Sequence, residues 1–264
     1  MSDQIAAEFA DYTVAWAEEF DGPAGAQPSP GTWTYETGGH GWGNDELQYY
    51  TSDAANAALD GAGSLAITVR RSDPQQVEGR YGHGPYTSAR LTTKGRRSFR
   101  YGLIQARIRL PAGRGIWPAF WMLGTDIDQS GWPGCGEIDV MENFGIYPRL
   151  VHGTVHGPGY AGTAGITAQL DTGLPLAEDF HVYSVCWEPT RIRWYFDQVG
   201  YHTVTPASVP GQRWVFDHDF YLLLNVAVGG HPSAPPDDST AFPQTMLVDY
   251  IRVHALPRSQ RPPA

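Results

Sequence analysis

The chain has 264 residues, a formal net charge of -10, 41% hydrophobic residues and 12% aromatic residues, nine of them Trp. With no basic stripe to offset the acids, nucleic acid and anionic membrane surfaces are poor partners, and a neutral ligand is expected. No run of 18 apolar residues exists to cross a membrane as a helix, and 31 Gly and 21 Pro without a period suit a turn-rich fold rather than collagen or disorder.

In chain order, residues 1–11 read as a tail, without the basic flank and apolar stretch of a secretory signal. Asn44, Glu46 and Gln48 then alternate with Asp45 and Leu47, bracketed by Trp42 and Tyr49. Amides, an acid and aromatics in one segment suit sugar hydroxyls, although a polar loop has the same composition. Residues 65–70 read as a strand. In 103–110, Ile104, Ala106, Ile108 and Leu110 alternate with Gln105, Arg107 and Arg109, the pattern of a half-buried antiparallel strand. In 115–123, Trp117, Ala119 and Trp121 share a face, so two indoles flank a small residue and could form a sugar platform. The competing face of that strand carries Phe120 and Met122.

Residues 136–142 read Gly-Glu-Ile-Asp-Val-Met-Glu, three acids in six positions of an apolar, strand-like run. Alternation puts Glu137 and Asp139 on one face and Glu142 on the other. One extra residue, a β-bulge around Val140 or Met141, would return Glu142 to the face of the other two. Three acids together would separate their pKa values, as two-carboxylate acid/base chemistry requires. In 150–156, His152, Thr154 and His156 share a face; a zinc site would need a third ligand that is not evident. Residues 181–188, 191–197, 220–228 and 246–254 complete the expected strands, and no helix longer than two turns is expected. Asp249 shares parity with Leu247, Ile251 and Val253; if that face is inner, its carboxylate is buried and must find a cation or donors. Residues 256–264 read as a second tail. Cys135 and Cys186 are expected to be free thiols. Strands at short spacing with Gly/Pro turns make this an all-β chain, a sandwich of two antiparallel sheets in one domain spanning 12–255.

The acid run resembles that of glycoside hydrolase family 16, and within it the endo-β-1,3-glucanases or laminarinases, whose motif is Glu-x-Asp-x-x-Glu in bulged form. The resemblance extends to Glu-Glu-Phe-Asp-Gly at 18–22, His-Gly-Trp-Gly-Asn-Asp-Glu-Leu-Gln-Tyr-Tyr at 40–50 and Tyr-Thr-Ser-Ala-Arg at 86–90. It continues in Gly-Ile-Trp-Pro-Ala-Phe-Trp-Met-Leu-Gly at 115–124, His-Gly-Thr-Val-His-Gly-Pro-Gly-Tyr at 152–160, Leu-Asn-Val-Ala-Val-Gly-Gly at 224–230 and Val-Asp-Tyr-Ile-Arg-Val at 248–253. It implies a β-jelly-roll with a concave substrate cleft and retaining hydrolysis of internal β-1,3-glucosidic bonds. Glu137 would be the nucleophile, Glu142 the acid/base and Asp139 the residue that tunes them. The resemblance also places His156 beside the reacting sugar and lines the cleft with Asn44, Arg90, Trp42 and Glu46. No cofactor is implied for catalysis, but a structural calcium is, held by the Asp249 carboxylate together with backbone oxygens at Glu19 and Gly63; the alternative for Asp249 is a pairing with Arg252 or a backbone amide. A secreted monomer acting on a polysaccharide is the further expectation. Two alternatives stay open: a same-fold hydrolase or transglycosylase acting on mixed-linkage glucan or galactan, and a non-catalytic β-glucan-binding protein.

Overall fold

A computed structural model describes residues 8–72 and 85–260. The first strands are β1 (Thr13–Glu18), β2 (Thr34–Glu36), β3 (Gln48–Tyr50), β4 (Ala57–Leu59), β5 (Leu65–Arg71), β6 (Tyr86–Ser88), β7 (Arg90–Thr92), β8 (Gly102–Arg109) and β9 (Ile116–Gly124). A four-residue helix, α1 (Ile127–Ser130), precedes β10 (Glu137–Glu142), β11 (Leu150–His156), β12 (Ile166–Asp171) and β13 (His181–Glu188). The last strands are β14 (Arg191–Phe196), β15 (Val199–Val204), β16 (Phe220–Val228) and β17 (Gln244–Ala255).

These strands form two sheets. The larger has the order β15-β14-β13-β8-β17-β5-β6-β3, with β1 also on β17 and β4 on β5; the seven-stranded sheet runs β12-β11-β10-β9-β16-β7-β2. Pairing is antiparallel except between β3 and β6. The two-sheet antiparallel sandwich expected from the alternation is therefore present.

Alternating side chains decide what lies between the sheets. Ile104, Ala106 and Ile108 of β8 enter the core while Gln105, Arg107 and Arg109 stay at the surface. From the other sheet come Phe120 and Met122 of β9, and Phe220, Leu222, Leu224, Val226 and Val228 of β16. Each such aliphatic or aromatic side chain contributes about 1.5–3 kcal/mol when fully buried. Because Phe120 and Met122 point inward, Trp117, Ala119 and Trp121 face outward, which resolves the two-face ambiguity of this strand.

In β17, Met246 and Val248 are core residues, and so are Ile251 and Val253. The register against β8 shifts between Val248 and Tyr250, which reverses the parity of the strand at that point. Asp249 consequently lies with Leu247 on the outer side, half-buried, and not with Ile251 and Val253 as the unbroken alternation implies. Both ends of the described chain are packed rather than loose. Phe9 sits edge-on to Tyr12 and Tyr195, Glu8 pairs with Arg193, and Leu256 is buried beside Tyr12 and Cys186. Cys135 and Cys186 are free and buried.

Candidate active site

The open face of the seven-stranded sheet gathers the acids. Along β10, Asp139 lies opposite Trp121 of β9 and Glu142 lies opposite Ala119, so three steps on one strand match two on its neighbour. The same slip appears against β11, where Asp139 faces Thr154 and Glu142 faces His152. The extra residue is absorbed on the inner side, where Val140 and Met141 are both buried in the main core. Glu137, Asp139 and Glu142 thus share the outer face, which an unbroken strand would forbid. Gly136, at φ +75, turns the chain into this strand; a Cβ there would meet Phe220 and Val215 at 2.9 Å.

Register carries the site across the sheet. Successive partners Glu36, Arg90, Asn225, Ala119, Glu142 and His152 form one row over six strands. A second row runs Thr92, Leu223, Trp121, Asp139 and Thr154, and a third runs Tyr221, Leu123, Glu137 and His156. Strand spacing sets Arg90, three strands from β10, about 14 Å from Glu142.

Each acid has defined partners. Trp132, in the loop before β10, donates its indole N–H to Glu137 Oε2 at 3.0 Å, and Trp117 donates to Glu142 Oε1 at 3.0 Å. His156 Nε2 lies 3.3 Å from Asp139 Oδ2 and 3.6 Å from Glu137 Oε1. Asp139 Oδ2 is buried without an aligned hydrogen-bond donor, and the neighbouring imidazole is instead one of the influences that lower the Glu137 and Glu142 carboxyls against burial. The carboxyls of all three acids are pushed upward. Burial is the largest cause for each; repulsion from Asp139 adds to it for Glu137, and repulsion from Glu142 adds to it for Asp139. Both Glu137 and Asp139 stand well above the ordinary carboxylate range. The group therefore favours sharing a proton among its members, as neighbouring carboxylates do.

That electrostatics has a consequence for stability. A carboxyl whose folded pKa is raised contributes stability below its unfolded pKa and loses it as pH climbs through the folded value. Asp139→Asn should accordingly melt at a higher temperature than wild type at pH 8, with the gap closing toward pH 4, while activity falls about 10- to 100-fold for want of the middle acid. Calorimetric scans at the two pH values check this; a variant less stable than wild type at pH 8 would contradict it.

A second group borders the acids. Arg90 pairs with Glu36 and lies between Trp42 and Trp121, its guanidinium carbon 4.7 Å from each ring centroid. Trp121 donates to Asn225 Oδ1 at 2.7 Å, Asn225 to the Tyr50 hydroxyl at 3.0 Å, and Tyr50 to Glu46 Oε2 at 3.3 Å. Asn44 and Gln48 also donate to Glu46, at 3.1 and 2.6 Å. Burial raises the Glu46 carboxyl, and these amides partly offset it. The structure thus links Asn44, Glu46, Trp42, Arg90 and Trp121 in one polar and aromatic network beside the acids, with His156 and Trp117 on the acids themselves.

Near the residues expected to hold calcium, the side chains are paired with arginines. Glu19 makes two 2.8 Å bonds to Arg252, which bind its carboxyl and hold it below its ordinary range, and Asp249 lies 2.6 Å from Arg107. Gly63 has the Asp21 carboxylate as the one side chain within reach of a Cβ placed there. Calcium is held by carboxylate and carbonyl oxygens, and the one carboxylate expected to serve it, Asp249, is paired with Arg107 as arranged. Among the described residues, the one convergent group of metal-type side chains is Glu137, Asp139 and His156.

Sequence reasoning missed Trp132, Asn225 and Tyr50. A lone amide inside Leu-Leu-Leu-Asn-Val-Ala-Val was a usable signal for Asn225; Trp132, in a glycine-rich loop, carried none.

Paired carboxyls with an acid between them, set on one face of a β-sandwich and bordered by indoles and a guanidinium, define a carbohydrate-cleaving enzyme of the two-carboxylate class. Residues 42–251 match the family described as Glycosyl hydrolases family 16, and the chain belongs to it. It is 43% identical to a beta-glucanase of Rhodothermus marinus over 92% of this chain and 85% of that protein. Among solved structures, the laminarinase catalytic domain of Thermotoga maritima superposes with a TM-score of 0.85 at 45% identity, covering 93% of this chain and 99% of that one. The endo-beta-1,3-glucanase of Pyrococcus furiosus gives 0.85 at 45% identity, covering 92% and 94%. The jelly-roll form of the sandwich follows from these likenesses.

Proposed function

We propose that the chain is an endo-acting, retaining β-1,3-glucanase that cleaves β-glucans such as laminarin in a cleft across the open face of the seven-stranded sheet. The observation that carries this reading is the bulge in β10, which sets Glu137 and Glu142 on one face with Asp139 between them. Glu137 attacks the anomeric carbon as Glu142 gives its proton to the departing glycosidic oxygen; Glu142 then takes a proton from water, which releases the sugar with its configuration retained. Asp139 and His156 adjust the charge on Glu137. Trp42, Arg90, Trp121, Asn44 and Glu46 hold sugar units on one side of the bond that breaks. Two carboxyl groups perform this chemistry without a cofactor.

The likeness to glucan-cleaving relatives supports a neutral polysaccharide as substrate, and the acidic surface charge agrees with it. No helix among the described residues is long and apolar enough to cross a membrane. Because polymeric substrate stays outside cells, the enzyme acts as a secreted monomer in this reading.

Reducing-end release from laminarin, a linear β-1,3-glucan, barley mixed-linkage glucan and agarose tests the assignment. Release is expected from the β-1,3 polymers, with mixed-linkage glucan cleaved more slowly. Release from agarose alone would overturn the specificity, and binding to laminarin without release would make the chain a glucan-binding protein.

A further inference from the structure

The site depends on a bulge, and something must hold that bulge in place. Carbonyls of a regular ladder lie in the plane of their sheet and bond sideways to neighbouring strands. The Asp139 carbonyl instead accepts a bond from across the sandwich: Trp194 of β14, fully buried, donates its indole N–H to Asp139 O at 2.7 Å. Asp139 is the last residue in regular register before the extra residue. The indole is itself confined. It packs 4.8 Å from the His202 ring. On β11 the chain has Gly153, with no need of a left-handed backbone; a Cβ there would run into Trp194 Cδ1 and stand 2.7 Å from the Tyr201 hydroxyl. β14 has its own register shift directly after Trp194, so two irregularities face each other across the core.

We propose that Trp194 is a positioning residue for catalysis: its indole N–H pins the Asp139 carbonyl, and the glycine at 153 leaves the space for it to do so, which fixes the bulge that aims Glu142 at the glycosidic oxygen. The inference rests on the roles given above to Glu137 and Glu142. Glu137 and Asp139 precede the slip and are held by regular pairing to β11, whereas Glu142 follows it. Loss of the indole donor therefore misplaces the proton donor and spares the nucleophile.

The test separates these two roles. In laminarin the departing sugar oxygen needs a proton; in 2,4-dinitrophenyl β-laminaribioside the departing phenolate needs none, and kcat/KM for that substrate reports attack by the nucleophile alone. Trp194→Phe keeps the ring and removes the donor. It should lower kcat/KM for laminarin by about 30-fold, mainly through kcat, and change kcat/KM for the dinitrophenyl glycoside by less than about threefold. Trp187→Phe is the matched control: Trp187 is equally buried and donates to Phe216 O at 3.0 Å, a carbonyl outside β10. It should lower stability comparably and show no such split. Equal losses on both substrates for Trp194→Phe, or the same split in Trp187→Phe, would overturn the proposal. If Trp194→Phe does not fold, benzothienylalanine at position 194 replaces N–H by sulfur at constant shape, and the same outcomes decide. Should the wild-type enzyme prefer another glucan, that polymer replaces laminarin and the comparison stands; a wild type inert on every polymer overturns both the functional reading and the clamp.

Discussion

Glu137→Gln should reduce laminarin hydrolysis by at least about 10⁴-fold, because it removes the atom that forms the bond to the anomeric carbon. The change is nearly isosteric, and an amide can still accept the hydrogen bond from Trp132. It also removes a charge that burial, Asp139 and Glu142 all disfavour. By the sign rule for a raised carboxyl, the variant should be at least as stable as wild type at neutral pH, so the loss of activity cannot be a loss of fold. Affinity for a short β-1,3-oligosaccharide, measured calorimetrically, should stay within about threefold. In Glu137→Ala, which opens the space that the carboxylate fills, azide can enter on that side of the sugar, and with an activated aryl glycoside the product should be the α-glycosyl azide. Wild-type turnover of laminarin by this variant would end the assignment of Glu137.

Glu142→Gln should behave differently in kind. Without a proton donor, kcat/KM on laminarin falls about 10²- to 10⁴-fold. The dinitrophenyl glycoside should keep most of its kcat/KM, since its leaving group departs unprotonated. The glycosyl-enzyme then accumulates because no base activates water. Azide, which needs no such base, should relieve it and give the β-glycosyl azide, the opposite anomer to that from Glu137→Ala. The pH profile carries the same information. Burial holds the Glu142 carboxyl above its ordinary value, so wild-type activity should decline on the alkaline side as that proton is lost, and the alkaline limb should vanish from kcat/KM in the variant. Identical azide anomers from the two variants would remove the distinction of roles.

The acid site was legible in sequence because its chemistry contradicted its period. Glu137, Asp139 and Glu142 can share a face only if alternation breaks between 139 and 142; the spacing marked where a bulge would have to fall, and the resemblance supplied the bulged form. The bulge between Val248 and Tyr250 had no such marker. Nothing in Leu-Val-Asp-Tyr-Ile signals a break, so alternation groups Asp249 with Ile251 and Val253, whereas the structure turns it to the opposite face. Of the longer strands, β8 and β14 announced themselves by alternation, whereas β1, β12 and β15 are absent from the strands expected from sequence. Strands β2, β3, β4, β6 and β7, three residues each, are too short for any period to register. Arg90 could be singled out by resemblance, but its seat between Trp42 and Trp121 depends on β7 pairing with β16 and on a turn far along the chain. Trp194 falls within the strand expected over 191–197, in alternation with Ile192 and Phe196. Its bond to the Asp139 carbonyl arises only when the two sheets close on each other.

The central claim, two carboxyls on one bulged strand working by double displacement, is tested most directly by the anomer first formed. Proton NMR of laminarin during the first minutes of hydrolysis resolves the new reducing ends before mutarotation scrambles them. The β-anomer should appear first and decay toward the equilibrium mixture. Initial appearance of the α-anomer would mean single displacement by water, and would contradict a nucleophilic Glu137.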